Sequence, residues 1–397
     1  MKQICIMGLG YIGLPTSSIL AAKGFSVLGV DVNPEVVETI NQGKIHITEP
    51  DLDLFVKAAV GSGKLRAALA PEPSDVFIIA VPTPFKEGHR ADLSYVEAAT
   101  RAIVPVLRAG NLVILESTSP PRTCTGTIAP ILTAAGFTVG RDIFLAHCPE
   151  RVLPGQIMRE VVENDRVIGG VTPECARRAR DLYASFTTGQ IFLTDATTAE
   201  MVKLVENSFR DVNIAFANEL SIICESLGLN VWELISLANR HPRVNILRPG
   251  PGVGGHCIAV DPWFIVEACP QEARLIKMAR LVNDDKPHHV VKKITAAAAK
   301  FKRPVIGLLG LSYKQDIDDL RESPAVEIAR AVRQADLGEL LVCEPYRQSH
   351  PEFELRPLAE VLARSDILVL LVPHQPFKAV DRELLKPKIV IDTCGIW

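Results

Sequence analysis

The segment QICIMGLGYIGLP, residues 3–15, limits the fold more than any other part of the chain. A short β-branched run leads into Gly8, Gly10 and Gly13, and an apolar helical pattern follows at once, closed by Gly24. Glycines at this spacing, after a strand and opening a helix, are what a βαβ unit needs to hold a pyrophosphate. The first permits the tight turn, the second lets backbone approach the anion, and the third lets the helix pack on the strand. The helix start then offers unpaired N–H groups to negative charge. The next strand-like run, SVLGVD, ends on Asp31, 18 residues past Gly13. A carboxylate there accepts hydrogen bonds from a ribose and repels a 2′-phosphate, so the pattern predicts NAD rather than NADP.

The alternation continues through DVFIIAV, NLVILEST, IFLAHCP and RVIGG. These runs are apolar without a break, as strands buried on both faces are, and they predict a parallel sheet covered by helices. Residues 197–227 then hold no glycine or proline over 31 positions and read as one long helix, followed by a second helix in NVWELISLANRH. From Arg303 the alternation returns in PVIGLLGLSY, ELLVCEP, DILVLLVP and IVIDTCG. The expected fold class is α/β: two Rossmann-like, doubly wound lobes joined by a long central helix and a helical middle domain. The expected boundaries are 1–195, 196–300 and 301–397.

Composition narrows the function classes. A net charge of −3 with both signs interspersed provides no basic face, so no nucleic-acid partner is expected. No stretch approaches the roughly 18 uninterrupted apolar residues of a membrane span. The first apolar run is broken by Gly8 and Gly10 and does not read as a secretory signal. Nine cysteines without a CxxC pair do not look like a disulfide framework. His147-Cys148 and His256-Cys257 lack a second ligand pair at finger or ribbon spacing, so no metal is expected. A reducing cytoplasm is the simplest home.

In an open parallel sheet, ligands bind beyond the carboxyl ends of the strands. Pro82-Thr83, Ser117-Thr118 and Glu150-Arg151 fall there; the last pair reads equally as a surface ion pair or as part of a site. On the long helix Lys203, Asn207 and Arg210 share one face at i, i+4 and i+7. Met201, Val202, Leu204, Val205, Phe209, Val212, Ile214 and Phe216 surround them, so the helix is expected to be buried and its polar stripe to need a partner such as an anionic ligand. The stretch PGPGVGGHCIAVDPW, residues 249–263, bares the backbone around Cys257. It is either a tight turn or a route for a substrate to a reactive sulfur.

Taken together, GLGYIGLP, GVDVN, VPTPF, ESTSP, CPERVLPG, EMVKLVENSFRDVNIAFANE, GVGGHCIAVDPW and KQDIDDLRESP resemble the nucleotide-sugar 6-dehydrogenase family along the length of the chain. NRHPRVN and GGHCIAVDPWF resemble its UDP-N-acetylmannosamine branch; the glucose branch carries Pro-Lys where this chain has Ala259-Val260. The resemblance implies a two-step, NAD-dependent oxidation of the C6 alcohol of a UDP-sugar, UDP-N-acetyl-D-mannosamine first and its gluco epimer as the alternative. It implies Cys257 as nucleophile through a thiohemiacetal and a thioester, Lys203 as acid/base, Asn207 holding the oxygen, and Asp261 and Glu150 handling water. It places Gly8, Gly10, Tyr11, Ile12, Gly13, Asp31, Thr83, Thr118 and Arg321 at the NAD. It places Arg151, Val152, Lys203, Asn207, Arg210, His241, Arg243, Gly254, Tyr313 and Lys314 at the UDP-sugar. Gly254 and Gly255 would let C6 approach the sulfur. A homodimer through the long helix is also implied, with Arg243 serving the neighbouring site. One departure stands out: Cys124 occupies a place where the family usually has a hydroxyl facing the cofactor.

Overall fold

The computed structural model describes residues 2–153, 155–255 and 257–397. The backbone forms two compact units, residues 1–206 and 207–397.

The first unit is built on eight strands: β1 (Gln3–Met7), β2 (Ser26–Val30), β3 (Leu65–Ala68), β4 (Val76–Ile79), β7 (Leu112–Leu115), β8 (Phe144–His147), β9 (Arg166–Gly170) and β10 (Ile191–Asp195). Between β4 and β7 a small antiparallel ribbon pairs β5 (Phe85–Lys86) with β6 (Arg90–Ala91). The large sheet runs β10-β9-β8-β7-β4-β1-β2-β3. Its strands are apolar on both sides because both sides are covered. Ile4 and Ile6 of β1 enter one core and Cys5 and Met7 the other, and Val76/Ile78 divide from Phe77/Ile79 in the same way on β4. The strand order reverses between β1 and β4, the switch point at which such sheets bind ligands.

The sheet is parallel, as expected, except at one edge. β9 runs antiparallel to β8 and pairs through only two positions, Ala146 with Gly170 and His147 with Gly169, and β10 runs parallel to β9. β9 begins beyond the carboxyl end of β8 and comes back to meet its last two residues. The position is fixed by Arg166, whose guanidinium reaches Glu150 at 3.2 Å in the segment after β8.

The second unit carries helices Val231–Ala238, Asp261–Ala268 and Arg274–Ala298 and a four-stranded parallel sheet. Its strands are β11 (Val305–Leu309), β12 (Glu339–Cys343), β13 (Ile367–Leu370) and β14 (Ile389–Asp392), in the order β12-β11-β13-β14. Ile367 and Val369 enter one core and Leu368 and Leu370 the other. The helix Pro324–Gln334 starts where Pro324 supplies a preset φ and the Ser323 hydroxyl accepts the Ala325 N–H at 3.2 Å.

One helix spans Ala196–Leu227, as its lack of glycine and proline requires. Within a single chain this helix, expected to be buried, is buried on one side only. Phe209, Phe216, Ile223 and Leu227 are 68%, 53%, 44% and 67% exposed, whereas Asp211 and Asn218 are fully buried. The inversion has a local cause in the facing helix Arg274–Ala298. Arg280 pairs with Asp211; Asn283 donates to the same Asp211 oxygen at 2.8 Å; Asn218 donates to Asn283 at 2.8 Å. Asn218 then accepts the Gly250 N–H at 2.8 Å, which ties this buried chain to the root of the Cys257 loop. No helix among the described residues is long and apolar enough to cross a membrane.

Candidate active site

In the first unit, β1 ends at Met7 and the first helix starts at Gly13. Gly8 has φ +95°, and a Cβ there would lie 2.6 Å from the Ala80 carbonyl oxygen. A Cβ on Gly13 would lie 1.9 Å from the Gly8 oxygen, so strand, turn and helix close in a way no side chain permits. A Cβ on Gly10 would meet nothing within 4 Å. That open side is where a diphosphate would lie against bare backbone. No side chain caps this helix and no acid sits in its first turn, so its positive end is left to an anion.

Asp31 stands just past β2, its carboxylate accepting the Leu9 N–H at 3.0 Å and the Asn33 N–H at 3.0 Å. The acceptor is thereby pinned beside the glycine turn, where a ribose hydroxyl would donate. The loops after β4 and β7 are tied together: the Thr83 hydroxyl donates to the Thr118 carbonyl at 2.6 Å, and Ser117 donates to the Val81 carbonyl at 2.7 Å. Tyr11 is exposed and Ile12 half-buried next to the turn. The open cradle at Gly10, the uncapped helix and the oriented Asp31 fit a dinucleotide without a 2′-phosphate.

Glu150 and Arg151 do not pair with each other through their side chains. Glu150 is buried and takes both terminal nitrogens of Arg166 at 3.2 Å, and Arg166 lies over the rings of Tyr183 and Phe186 at 4.8 and 5.5 Å. Tyr183 in turn donates to Glu116 at 2.5 Å. Burial pushes the Glu116 carboxyl up to about 7. Arg151 pairs instead with Glu206 at 2.5 Å and donates to the Asp165 carbonyl at 3.1 Å. Sequence reasoning missed Arg166, Tyr183 and Glu116; the one available signal was a charge opening the apolar run RVIGG. Val152 and Lys203 are half-buried, and Lys203 lies one helical turn before Asn207.

In the second unit, Cys257 is one of two thiols that are not buried; the other, Cys269, is exposed, and the remaining seven are inside. The Cys257 carbonyl accepts the Val260 N–H at 3.0 Å and the Asp261 N–H at 2.9 Å, so the loop turns into the helix Asp261–Ala268 directly after the thiol. Asp261 is 3% exposed and accepts from the Asn207 amide at 2.5 Å. Asn207 and Asp261, 54 residues apart in sequence, therefore form one buried polar pair close along the chain to the thiol. His256 lies outside the described residues.

The glycines before the thiol have a different cause from the one expected. A Cβ on Gly254 would lie 2.4 Å from the Glu322 carbonyl oxygen and 2.8 Å from Tyr313 Cβ. At Gly255, with φ +82°, a Cβ would lie 2.9 Å from the Tyr313 ring. The space beside these glycines is filled by protein; their bareness seats the thiol loop on the segment after β11 rather than clearing room over the sulfur. Gly255 N–H also donates to the Arg321 carbonyl at 3.1 Å.

A cavity of about 280 Å³ lies beyond the carboxyl ends of β11 and β13, at the switch point of the smaller sheet. Gly250, Gly252, Tyr313, Lys314, Pro373 and Lys378 are among its walls. Two lysines on a glycine- and proline-rich wall suit a phosphorylated ligand. Arg321 is held by Asp319 at 2.6 Å. His241 and Arg243 are exposed on a turn fixed by Asn239, which accepts the Ile246 N–H at 2.7 Å and donates to its carbonyl at 3.0 Å. Arg210 is exposed, so the expected polar stripe is graded: Asn207 buried, Lys203 intermediate, Arg210 outside.

Three domain models of the UDP-glucose/GDP-mannose dehydrogenase family match the chain: the NAD binding domain over residues 2–187, the central domain over 197–285 and the UDP binding domain over 307–397. An NDP-N-acetyl-D-galactosaminuronic acid dehydrogenase from Ralstonia nicotianae is 57% identical, with 100% of this chain and 96% of the relative covered. A UDP-N-acetyl-D-mannosamine dehydrogenase from Escherichia coli strain K12 is 54% identical, with 99% of each chain covered. Among solved structures, a UDP-D-ManNAc dehydrogenase from Pyrococcus horikoshii superimposes with a TM-score of 0.91 at 42% identity, covering 100% of this chain and 96% of that one.

Proposed function

The chain belongs to the UDP-glucose/GDP-mannose dehydrogenase family, and on that premise we propose that it oxidises the C6 alcohol of UDP-N-acetyl-D-mannosamine to the carboxylate, with Cys257 as covalent nucleophile. The observation that carries the proposal is the half-buried thiol set directly before a buried Asp261–Asn207 pair. NAD+, when bound, takes the hydride that leaves C6 in each of the two oxidations.

In the first oxidation Lys203 removes the hydroxyl proton and leaves an aldehyde. The Cys257 thiolate adds to the aldehyde carbon, and the new oxyanion is held by Asn207 and Lys203 as a thiohemiacetal. Loss of the second hydride from the same carbon leaves a thioester. Asp261, with Glu150, positions the water that attacks it, releasing the uronate and returning the thiol. Burial keeps Asp261 oriented, and its bond from Asn207 couples the oxygen-holding residue to the water-handling one. Tyr11, Ile12, Thr83, Thr118 and Arg321 serve the dinucleotide. Arg151, Val152, Arg210, His241, Arg243, Tyr313 and Lys314 serve the UDP-sugar, the cavity beside Lys314 taking a phosphorylated part, and Gly254 serves it by seating the thiol loop against Tyr313.

The active form is a homodimer through the long helix. Phe209, Phe216 and Ile223 recur every seven residues on one exposed stripe, which a second copy of the same helix would cover. Nine free thiols suit a cytoplasmic enzyme.

A second reading is that the sugar is galacto-configured, as the name of the Ralstonia relatives suggests. The test is kcat/KM, read as NADH formation, for UDP-N-acetylmannosamine, UDP-N-acetylglucosamine and UDP-N-acetylgalactosamine. The proposal expects the manno sugar to lead by at least about tenfold, or roughly 1.4 kcal/mol. A lead for either other sugar replaces the substrate while leaving the reaction intact.

A further inference from the structure

Beneath the cofactor loops of the first unit lies a cluster that the proposed reaction does not use. Cys124 lies in the helical turn after ESTSPPRT, His147 ends β8, and Glu200 sits in the second turn of the long helix. Their exposures are 0%, 0% and 1%, and one ligand-capable atom of each lies within 4.8 Å of the other two. Buried polar atoms are almost always hydrogen-bonded. Neither ring nitrogen of His147 has a partner. Glu200 is oriented by two backbone donors, the Arg122 N–H at 2.5 Å and the Cys124 N–H at 2.8 Å.

We propose that Cys124, His147 and Glu200 form a buried structural site for one divalent cation of borderline softness, with zinc the first candidate. Thiolate, neutral imidazole and carboxylate are zinc's ordinary ligands. Their charges sum to −2, so the filled site is neutral, which is the condition for placing such groups in a protein interior. Ligand atoms on one tetrahedral zinc, a water taking the fourth position, sit about 3.3–3.6 Å apart given bonds of about 2.0–2.3 Å, so binding draws the cluster in by about 1.5 Å at most. The Cys124 S–H proton leaves to solvent as the metal–sulfur bond forms. The backbone donors to Glu200 act as the outer hydrogen bonds that orient a metal-binding carboxylate. Filled, the site staples the segment after β7 to β8 and to the long helix, and so steadies the turn that carries Thr118. Spacing rules miss it because the three ligands come from three separate elements, 23 and 53 residues apart.

The test uses the full chain expressed with added zinc and purified without chelator. The expected result is one zinc per chain by elemental analysis and a melting temperature about 3 °C or more above that of chelator-treated protein. Cobalt-loaded protein should show a thiolate-to-cobalt absorption band that is lost in Cys124→Ser and kept in Cys257→Ser. His147→Asn should lower metal content while the far-ultraviolet circular dichroism stays unchanged; should Cys124→Ser misfold, Cys124→Thr replaces it. Metal content well below one per chain, or a cobalt band that vanishes with Cys257→Ser and survives loss of the Cys124 sulfur, overturns the proposal.

Discussion

Replacing Arg280 by methionine removes the cation buried against Asp211 while keeping much of the side-chain volume. Both partners are fully buried, and Arg280 also reaches Asp284 at 2.6 Å. Asp211 keeps the Asn283 amide at 2.8 Å. A buried carboxylate that loses its counter-ion costs about 3–5 kcal/mol, and the Asn283 amide bond, present before and after the substitution, does not change that difference. For a unit of 150–250 residues each kcal/mol moves the melting temperature about 2–4 °C, so the variant should lose about 6–20 °C. Burial already pushes the Asp211 carboxyl up to about 6, and loss of the guanidinium raises it further. A raised carboxyl favours folding at low pH, where it is protonated, and the contribution fades as pH rises through the folded value. The deficit of Arg280→Met should therefore be smaller near about pH 5 than near about pH 8. Thermal and urea unfolding at both pH values measure it. The double variant Asp211→Leu/Arg280→Met should recover most of the loss, because no charge is then stranded. Since Asn218 passes the network on to Gly250, the single variant should also lower kcat about tenfold by loosening the thiol loop. A loss under about 0.5 kcal/mol at the higher pH, or a double variant no better than the single one, would refute the reasoning.

Asp31→Ala strands the Leu9 and Asn33 N–H groups and removes the ribose acceptor, so kcat/KM for NAD should fall about 10- to 100-fold while that for NADP falls less; an unchanged NAD-to-NADP ratio contradicts this. Gly13→Ala places a Cβ 1.9 Å from the Gly8 oxygen, and NAD titration calorimetry should detect no binding; a wild-type Kd would show that the turn tolerates a side chain. The Glu116 carboxyl, ordinarily near 4.5 and raised to about 7 by burial, favours the fold fully below its ordinary value, and that contribution is lost as pH rises through about 7. Glu116→Gln should flatten unfolding free energy against pH across this window; an identical slope in both proteins would place the titration elsewhere.

Much of the first unit was legible because its signals are local. Gly8, Gly10 and Gly13 sit within six residues, and doubly buried strands such as VFII and LVIL announce themselves by unbroken apolar runs. What sequence could not show is set by distant pairing. The reversed direction of β9 depends on Arg166 meeting Glu150, and nothing in RVIGG states the direction of a strand. Which side of the long helix faces its own chain was not legible, because that depends on its partners: Asp211 and Asn218 go inside only because Arg280 and Asn283 meet them there. The glycines before Cys257 were correctly marked as bare backbone, but the occupant of the space is Tyr313, 58 and 59 residues downstream.

In the proposed reaction one thiol, that of Cys257, carries a four-electron oxidation. Its most direct test is the NADH-to-uronate ratio with UDP-N-acetylmannosamine for the wild-type protein and for Cys257→Ala. Two NADH per uronate are expected for the wild type, and for the variant a halt at the aldehyde with at most one NADH per sugar consumed. Full two-NADH turnover by Cys257→Ala at the wild-type rate would contradict it.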